Sequence, residues 1–377
     1  MHILLVPSEY PTSDHKLGGI FTYEQEKFLS KKNKFGVIYI YLFSINKIFS
    51  SLLFKCMRLK KINKKKYIFY FPRLPFFKLI NYQVHYLFFL FAFKKYIKIH
   101  GIPDLLHVHF TEFSIITAYK IKKKYNIPYI LTEHSTDFLD GKHERSYTKG
   151  SLVYKKIFLA LKNSKNIICV SNYLKKKIKK YYNLKEEKFK IIGNLSLDLG
   201  LKLKKNNDII FVGTLEKRKN PFLLLKAFKK IYKKKINMKI VGDGPLRIDI
   251  ESYIKKNNLS KHVKLFSNLE RKSVLKMIGS SKVLVLPSYY ETFGVVIIEA
   301  FSMGVPVVMT DSYGVRDLNN INCSIMVKNN KLNSLAQAIK KILKNTRKYD
   351  SNTIRNFYKK NFSSKIIINK IQKLYRF

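Results

Sequence analysis

The sequence predicts an α/β protein with two Rossmann-like, doubly wound domains. Short apolar runs alternate with amphipathic stretches along the chain, which is typical of parallel sheets covered by helices. The length of 377 residues suits two hydrophobic cores better than one. The polar stretch Lys202–Asn207 separates two such alternating halves. We therefore predict domains at 1–200 and 201–352, and a helical segment at 353–377 that packs back on the first domain.

Each strand is predicted where an apolar run of about four to eight residues ends in a turn residue, and each helix where apolar residues recur every three or four positions. The first half is predicted to contain strands His2–Val6, Gly36–Leu42, Leu105–His109, Pro128–Thr132 and Asn166–Val170, and helices Tyr23–Lys32, Glu112–Tyr125 and Asn172–Tyr182. The second half is predicted to contain strands Asp208–Val212, Met238–Val241, Val263–Phe266, Val283–Leu286 and Pro306–Met309, and helices Pro221–Lys233, Leu246–Asn257, Arg271–Ile278, Val295–Met303 and Leu332–Leu343.

The aromatic stretch Phe76–His100 allows two interpretations. Its apolar run Tyr86–Phe93 is bounded by Gln83 and His85 on one side and by Lys94 on the other. A bilayer span needs roughly 20 apolar residues, so we expect no transmembrane helix here. We expect a helix buried against the first sheet. The alternative is a basic-flanked helix that dips one aromatic face into a membrane interface.

The net charge of +50 arises from 74 lysine and arginine residues against 24 acidic ones. The basic clusters are scattered along the chain, at Lys60–Lys66, Lys122–Lys124, Lys175–Lys177 and Lys233–Lys235. Compositional drift explains this pattern best, with peripheral attraction to an anionic membrane as a consequence. We expect no nucleic-acid partner, because no recognisable nucleic-acid-binding module is present.

The cysteines and the start of the chain indicate a cytoplasmic protein. Cys56, Cys169 and Cys323 lack metal-ligand spacing and cannot all pair, which favours a reducing compartment. The segment Met1–Ser8 lacks the basic region of a signal peptide and is predicted as the first strand. Any membrane contact is therefore expected at the inner face of the cytoplasmic membrane.

The segment Pro287–Pro306 carries the most specific chemistry. It follows a buried strand, places Glu291 in a turn, begins a helix at Gly294, and has Glu299 eight residues after Glu291. The N-terminus of a helix directs unpaired N–H groups at its ligand and attracts anions such as phosphate. Carboxylates accept hydrogen bonds from sugar and ribose hydroxyls. Together these features indicate a sugar-nucleotide site.

Four further turns follow predicted strands, and ligands collect at the carboxyl ends of parallel strands. These turns are Leu17–Phe21 with Gly18 and Gly19, Thr132–Ser135 with His134, Gly213–Pro221 with Lys217, Arg218 and Lys219, and Val241–Pro245 with Gly242. The glycine turn equally fits a plain flexible turn, and a lysine-rich protein would often place three such cations in a solvated helix cap. His107 and His109 alternate on one strand without an evident third metal ligand, so we prefer a packing role for them.

Taken together and in order, these motifs resemble the family 4 retaining glycosyltransferases. In the second half the resembling residues are Gly213–Leu215, Lys219–Asn220, Val241–Pro245, Pro287–Ser288, Glu291–Gly294, Glu299–Ala300 and Gly304–Pro306. In the first half the resemblance is looser and rests on Gly18–Phe21, His107–His109, Thr132–His134 and Val170–Ser171. It implies the GT-B fold, in which two Rossmann-like domains face each other across a cleft that holds the active site.

The resemblance implies that the second domain binds a nucleotide-sugar donor, without a metal or other cofactor. Its glycine turn at Gly242 would be part of that site. The resemblance also implies that Glu299 accepts hydrogen bonds from ribose hydroxyls and that Glu291 contacts hydroxyls of the donor sugar. It implies that the N–H groups at Phe293, Gly294 and Val295 meet the sugar and diphosphate, and that Lys219 neutralises the diphosphate. In the first domain, it implies that His134 lines the reaction face of the sugar and that Gly19 lets the first loop approach the phosphates.

One residue departs from the family pattern. Thr214 stands where the family commonly has an arginine, directly after the glycine that ends the first donor-domain strand. A forked guanidinium contact to the diphosphate is therefore missing at its usual place. Arg218 lies close enough in sequence to substitute for it. Without a substitute, the loss would cost on the order of 3 kcal/mol in the transition state.

The resemblance implies a retaining hexosyltransferase, which moves a sugar from a nucleotide-sugar donor to a glycan or lipid-linked acceptor in surface polysaccharide biosynthesis of a bacterial cell envelope. The alternative, motivated by Thr214, is a non-catalytic sugar-nucleotide-binding protein of the same fold. A phosphorylase is disfavoured, because no pyridoxal-phosphate lysine motif is recognisable.

Overall fold

The computed structural model describes residues 1–12, 18–44, 58–63, 65–73, 77–139, 147–206, 208–232, 236–345 and 347–376. Its contacts divide the chain into a first unit, Met1–Ile192 with Ile368–Phe377, and a second unit, Gly193–Ile367. The predicted domain limits at 200 and 352 differ from these. Residues 193–200 group with the second unit because the Phe293 ring packs on Gly193 and the Tyr358 hydroxyl donates to the Ser196 carbonyl at 3.2 Å.

The first unit contains one described sheet and five described α-helices. The strands are β1 (His2–Pro7), β2 (Lys34–Ser44), β3 (Arg58–Asn63), β4 (Lys66–Arg73), β5 (Leu105–His109), β6 (Tyr129–Glu133), β7 (Ile167–Cys169) and β8 (Phe189–Ile191). The helices are α1 (Ile20–Leu29), α2 (Lys78–His100), α3 (Phe113–Tyr125), α4 (Leu152–Asn163) and α5 (Asn172–Tyr182), with 3₁₀ turns at Thr136–Phe138 and Glu186–Lys188.

The strand order of this sheet is β3-β4-β2-β1-β5-β6-β7-β8, and every pair except β3–β4 is parallel. The predicted strands and helices of the first half are confirmed within a few residues at their ends. Strands β3, β4 and β8 and helix α4 were not predicted. The antiparallel strand β3 lies at the edge and includes Lys60 and Lys61, and a charged edge strand disfavours pairing with another chain.

One side of helix α2 is buried against the first sheet, as predicted; Phe76 lies outside the described residues. Phe89, Phe93 and Tyr96 are fully buried, and the helix packs on β2 and β4 and beside α3. Tyr96 fits because β2 has no side chain at Gly36, where a Cβ would lie 2.2 Å from the tyrosine hydroxyl. Among the described residues, no helix is both long and apolar enough to cross a membrane.

The second unit contains six described strands and six described α-helices, and a further helix begins in it and continues into the first unit. The strands are β9 (Asp208–Val212), β10 (Asn237–Val241), β11 (Val263–Phe266), β12 (Val283–Leu286), β13 (Val307–Thr310) and β14 (Ser324–Val327). The helices are α6 (Pro221–Ile231), α7 (Arg247–Lys256), α8 (Arg271–Ser280), α9 (Val295–Ser302), α10 (Leu332–Lys344), α11 (Ser351–Asn361) and α12 (Ser364–Tyr375), with 3₁₀ turns at Lys217–Lys219 and Gly314–Leu318.

This second sheet is parallel throughout, with the order β11-β10-β9-β12-β13-β14. The predicted strands and helices between 208 and 343 are confirmed, apart from the helix end Lys233, which lies outside the described residues. Strand β14 was not predicted, and the helical segment predicted at 353–377 is divided into α11 and α12. The last of these helices, α12, runs into the first unit, where the Tyr375 hydroxyl lies 2.7 Å from His107 Nδ1. The prediction of two Rossmann-like domains is therefore confirmed.

Candidate active site

The strand order of the second unit identifies where a ligand fits best. The order in which successive strands join the sheet reverses between β9 and β12, which lie side by side at its centre. Open parallel sheets bind ligands beyond the carboxyl ends of the strands at such a switch point. The segment after β9 carries Arg218 and Lys219, and the segment after β12 carries Glu291. The switch point therefore brings together two predicted cations and the predicted sugar-binding carboxylate.

The Glu291 carboxylate is the centre of this cluster. It is buried, and its Oε1 accepts hydrogen bonds from Lys219 Nζ at 2.6 Å and Ser288 Oγ at 2.8 Å. Its Oε2 lies 3.5 Å from a guanidinium nitrogen of Arg218. Burial raises the pKa of Glu291, but the two cations and the hydrogen bonds more than offset this, so the pKa lies below its usual value. The group is therefore held ionised.

Arg218 takes part in this cluster through three contacts. Its guanidinium donates to Glu216 at 2.7 Å as well as facing Glu291, and it lies over the Tyr290 ring at 5.7 Å. Arginine suits such a site because its planar fork stays charged and stacks on aromatic rings. Thr214, where the family has its arginine, is exposed and carries no charge. The second cation near Glu291 is thus supplied by Arg218.

Backbone contacts fasten the Glu291 turn on both sides. The Tyr289 N–H donates to the Arg218 carbonyl at 2.8 Å, and the Glu291 N–H donates to the Ser312 carbonyl at 3.0 Å. Gly314 donates back to the Glu291 carbonyl at 3.1 Å, and a Cβ at Gly314 would lie 2.2 Å from the Thr292 carbonyl oxygen. The carboxylate is therefore held by a turn with little freedom to move.

Helix α9 begins directly after this turn. Gly294 is its N-cap and has a left-handed backbone, with φ 79° and ψ 62°, which glycine adopts without strain. Val295 is the first helical residue, so the first turn directs its backbone N–H groups at the switch point. The Phe293 ring is buried against Gly193. This places Phe293 in the packing of the unit, and its contribution to a ligand site is limited to its backbone.

Glu299 lies within α9 and is buried. Its Oε1 accepts a hydrogen bond of 2.5 Å from Arg271, the first residue of α8. Burial raises the pKa of Glu299, and Arg271 partly offsets the rise. The ion pair fixes the orientation of this carboxylate, which the sequence analysis expected to meet ribose hydroxyls.

The two glycine turns after β9 and β10 fit closely against each other. A Cβ at Gly242 would lie 2.0 Å from the Gly213 carbonyl oxygen, and Gly242 has a φ of 150°. The Leu215 N–H donates to the Asp243 carbonyl at 2.9 Å. These contacts explain why the turn requires glycine, and they position the segment that leads to Lys219.

His134 belongs to a buried stack of histidines in the first unit. Its Nε2 lies 3.0 Å from His109 Nδ1, and the two rings are nearly parallel with centroids 5.1 Å apart. His107 continues the row, with its ring centroid 4.5 Å from that of His109. Burial lowers the pKa of His107 to about 3 and holds the pKa of His109 well below its usual value. The expected packing role for His107 and His109 fits these contacts.

The neighbouring Glu133 has a structural role. Its carboxylate is buried and accepts backbone N–H bonds from Thr111 at 2.6 Å, His134 at 2.9 Å and Ser135 at 2.7 Å. Burial raises its pKa, although these hydrogen bonds oppose the rise. Glu133 therefore fixes the turn that carries His134.

Gly19 caps α1 after the loop that follows β1. Its φ is 59°, and a Cβ there would lie 2.3 Å from the Glu9 carbonyl oxygen. Glycine is therefore required here because the backbone of Glu9 lies too close for a side chain, whether or not a phosphate also approaches. The strand order of the first unit reverses between β1 and β5, so Gly19 and His109 both lie near that switch point.

Comparison with known proteins identifies the family. The family described as glycosyl transferases group 1 matches residues 199–360, and glycosyltransferase family 4 matches residues 56–195. An uncharacterized glycosyltransferase of Methanocaldococcus jannaschii is 32% identical over 254 residues, which are 67% of this chain and 68% of that protein. The chain belongs to the glycosyltransferases and contains a group 1 domain.

Two further proteins are similar to this glycosyltransferase. TuaC of Bacillus subtilis, provisionally named a teichuronic acid biosynthesis glycosyltransferase, is 28% identical over 256 residues, covering 63% of this chain and 60% of that protein. The structure of HepE from Anabaena in complex with UDP and glucose superposes with a TM-score of 0.73 at 15% identity, covering 99% of both chains. The fold of the glycosyltransferase is GT-B.

The structure adds site residues that sequence reasoning did not single out in this glycosyltransferase. Ser288 was visible within the motif but received no role. Gly314 follows a strand end, which was a usable signal. Arg271 carried no local signal, because only the tertiary structure brings it to Glu299. Within the described ranges, no group of three or more histidine, cysteine or acidic residues is arranged to hold a metal ion. The expectation of metal independence stays a prediction.

Proposed function

We propose that this glycosyltransferase is a retaining enzyme that moves a hexose from a nucleotide-sugar donor to a glycan or lipid-linked acceptor in surface polysaccharide biosynthesis. The observation that carries the proposal is the buried Glu291 carboxylate beside Lys219 and Arg218 at the switch point of the second unit. A carboxylate for sugar hydroxyls and cations for a diphosphate are the two groups that a nucleotide sugar requires. The name of TuaC and the UDP and glucose bound to HepE support this choice.

Lys219 has a second anion to serve once a donor binds. Its ammonium contacts Glu291, while Arg218 and Ser288 also contact that carboxylate. The diphosphate of a donor would draw Lys219 toward itself. Glu291 would keep its contacts with Arg218 and Ser288, and its carboxylate would accept hydrogen bonds from the sugar hydroxyls. Negative charge grows on the departing phosphate during glycosyl transfer, so a preorganised ammonium at this place lowers the barrier.

The remaining donor contacts follow from helix α9 and its neighbours. We assign the N–H groups of Phe293, Gly294 and Val295 to the sugar and diphosphate, because the dipole of an N-terminal helix end favours negative charge. Glu299, oriented by Arg271, accepts from the ribose hydroxyls. No metal ion is needed in this scheme, because cations and the helix end neutralise the diphosphate.

In the first unit, His134 is assigned to the reaction face of the sugar and Gly19 to the phosphates. The Phe21 ring lies 4.7 Å from the His134 ring, which limits the freedom of the imidazole. We further propose that the enzyme works in the cytoplasm, where peripheral contact with the inner face of the membrane would serve a lipid-linked acceptor. We expect no nucleic-acid partner.

A donor panel tests the proposal. The purified full-length chain is incubated with UDP- and GDP-sugars in the presence of a chelator, and nucleotide release is measured with and without membrane lipid extracts. We expect one donor to be hydrolysed slowly and transferred faster when an acceptor is present. The anomeric configuration of the product, read by NMR, should match that of the donor.

Two results would contradict the proposal. If no nucleotide sugar binds or reacts, the chain is not a nucleotide-sugar enzyme. If calorimetry detects tight donor binding but no acceptor or water gives turnover, the non-catalytic alternative is favoured. A product with inverted anomeric configuration would contradict the retaining mechanism but would still support glycosyl transfer.

A further inference from the structure

The outward side of α2 presents an apolar row that continues into a basic row. Ile80, Val84, Leu87 and Phe91 recur at helical spacing and are followed on the same side by the lysines at 94, 95 and 98. Ile80, Leu87 and Phe91 are 45%, 60% and 47% exposed, and the three lysines are exposed as well. We call these seven residues the α2 surface.

The α2 surface is held outward by the packing of the opposite side. Phe89, Phe93 and Tyr96 are fully buried against the sheet, and the Phe88 ring stacks on Phe69 with centroids 4.1 Å apart. His85 Nδ1 lies 2.8 Å from Thr117 Oγ1 of α3. The helix cannot rotate to bury Leu87 and Phe91 without breaking these contacts, so the surface is a fixed feature of the first unit.

The composition of the helix gives this surface a definite chemical character. Residues 78–100 contain no acidic side chain. The Lys95 ammonium lies 4.4 Å from the centroid of the Phe91 ring, so the apolar and basic rows meet there. Further exposed apolar residues lie near the two ends of the helix, at Leu79 and Ile99 within it and at Phe77 and Ile102 beside it. Clustered exposed apolar side chains of this kind mark an interaction surface.

We propose that the α2 surface docks on an anionic lipid bilayer. A helix side that is apolar over its first turns and basic over its last can lie in the headgroup region, with its apolar side chains in the acyl boundary and its lysines reaching the phosphates. A second copy of the chain is disfavoured as the partner, because each copy carries a net charge of +50 and the lysines would repel. The bilayer offers both acyl chains for the apolar row and negative charge for the basic row.

The inference deepens the proposed function, because a lipid-linked acceptor would be met at this surface. The role of docking rests on the proposed function, but docking itself does not, since it needs neither a donor nor turnover. A failure of docking would leave sugar transfer intact. A failure of donor binding would leave docking intact.

The first experiment uses the fact that the chain contains no tryptophan. Phe91→Trp places a single fluorescent reporter in the α2 surface. Ile248→Trp places one on α7, where Ile248 is 78% exposed near Lys255 and Lys256. With vesicles of equal phosphatidylglycerol and phosphatidylcholine, we expect a blue shift of emission for Phe91→Trp and none for Ile248→Trp. Vesicles of phosphatidylcholine alone should give a much smaller shift.

The second experiment measures partition of the full chain into the same vesicles by sedimentation. In Leu87→Ser/Phe91→Ser, we expect the partition coefficient to fall at least about tenfold, because two exposed apolar side chains are lost from the interface. In Lys94→Gln/Lys95→Gln/Lys98→Gln, we expect a fall on the order of a hundredfold, at roughly fivefold for each lysine near an anionic surface. Ile248→Ser and Lys255→Gln/Lys256→Gln are the matched controls and should bind as the wild type does.

Three outcomes overturn the inference. The first is equal emission shifts at positions 91 and 248. The second is an equal loss of binding in the control variants, which would mean that net charge alone drives association. The third is a change of oligomeric state in Leu87→Ser/Phe91→Ser without a change in vesicle binding, which would assign the surface to a second copy. Melting temperatures are measured for every variant so that unfolded chains are excluded.

Discussion

The two Rossmann-like units bury different titratable groups near their sheets. The first unit buries His85, His107 and His109, whose pKa values are lowered by burial. The second unit buries Glu291 and Glu299, and each of these carboxylates is paired with a cation. Near the switch points, the first unit thus carries neutral imidazoles and the second carries carboxylates paired with cations. The first unit also buries Glu133, which backbone N–H groups hold, and Glu26, which pairs with Lys66 at 2.8 Å. The paired charges that we assign to a diphosphate therefore lie in the second unit.

The largest expected effect is the loss of activity when the charge pair of the second unit is broken. Lys219→Ala removes the ammonium from the diphosphate, and Glu291→Gln removes the charge that orders it. For each variant we expect turnover with the preferred donor to fall about a hundredfold, the usual result of losing one preorganised electrostatic group. Steady-state kinetics checks this.

Exposed neighbours provide controls for both variants. Lys217→Ala removes an exposed lysine two positions away, and Glu251→Gln removes an exposed carboxylate that pairs with Arg247. Both should keep activity within about threefold of the wild type, since solvated charges contribute little. Equal losses in the controls, or wild-type rates in Lys219→Ala and Glu291→Gln, would end the assignment of roles.

Acid should loosen the first unit before the second. The pKa of His85 and of His107 is lowered to about 3 in the folded state, against 6.5 when unfolded. The free energy of unfolding is therefore unaffected by the protonation of these groups above pH 6.5. It falls as the pH drops from 6.5 toward 3, because the unfolded chain binds protons before the folded chain does. Between pH 7.5 and pH 5, the two histidines together lower the free energy of unfolding by an amount on the order of 4 kcal/mol.

Hydrogen exchange at both pH values compares the units within one sample. We expect peptides of β5 to lose protection at pH 5 more than peptides of β12. His85→Leu removes one proton-linked group, so the acid-induced loss in β5 should become smaller although the variant is less stable at pH 7.5. An unchanged pH dependence in His85→Leu would show that the buried histidines do not cause the difference.

A smaller effect is expected from the residue that orients Glu299. Arg271→Gln removes the 2.5 Å contact, so we expect the KM for the donor to rise about tenfold with kcat nearly unchanged, because ribose binding is the same in the ground and transition states. Arg247→Gln, at the first residue of α7, is the matched control and should change neither constant. A fall in kcat alone would contradict this role.

The smallest effect concerns the departure at Thr214. If Arg218 supplies the second cation, Thr214→Arg should change turnover by less than about threefold, whereas Arg218→Ala should lower it at least about tenfold. Single-turnover rates separate this from product release. A tenfold gain in Thr214→Arg would mean that Arg218 does not fill the place of the missing arginine.

The fold was predictable to a large extent because strand and helix signals are local. Strands such as Asp208–Val212 and Val263–Phe266 are apolar runs between turns and were predicted with the observed ends. Strand β4 was missed because its aromatic run follows a lysine-rich stretch that was interpreted only as charge. Helix α4 was missed although a serine, which is a preferred N-cap residue, stands directly before it. In the structure, Ser151 accepts a hydrogen bond from the Tyr154 N–H.

The candidate site was predictable where its residues share one segment. Glu291, Gly294 and Glu299 lie within the same strand–turn–helix unit, so spacing alone brings them to one place. Arg271 and Gly314 come from other segments, and only the sheet order places them beside that unit. The contacts of Arg218 with Glu291 likewise depend on β9 and β12 being neighbours, which no local pattern reveals.

Thermal shift of the wild type and of Lys219→Ala with nucleotide sugars shows whether the second unit binds a donor through this ammonium. A ligand that binds only the folded state raises its melting temperature. We predict that one nucleotide sugar raises the melting temperature of the wild type by several degrees and that the shift is largely lost in Lys219→Ala and retained in Lys217→Ala. If no UDP- or GDP-sugar raises the melting temperature, or if Lys219→Ala responds as the wild type does, the account of the second unit is wrong.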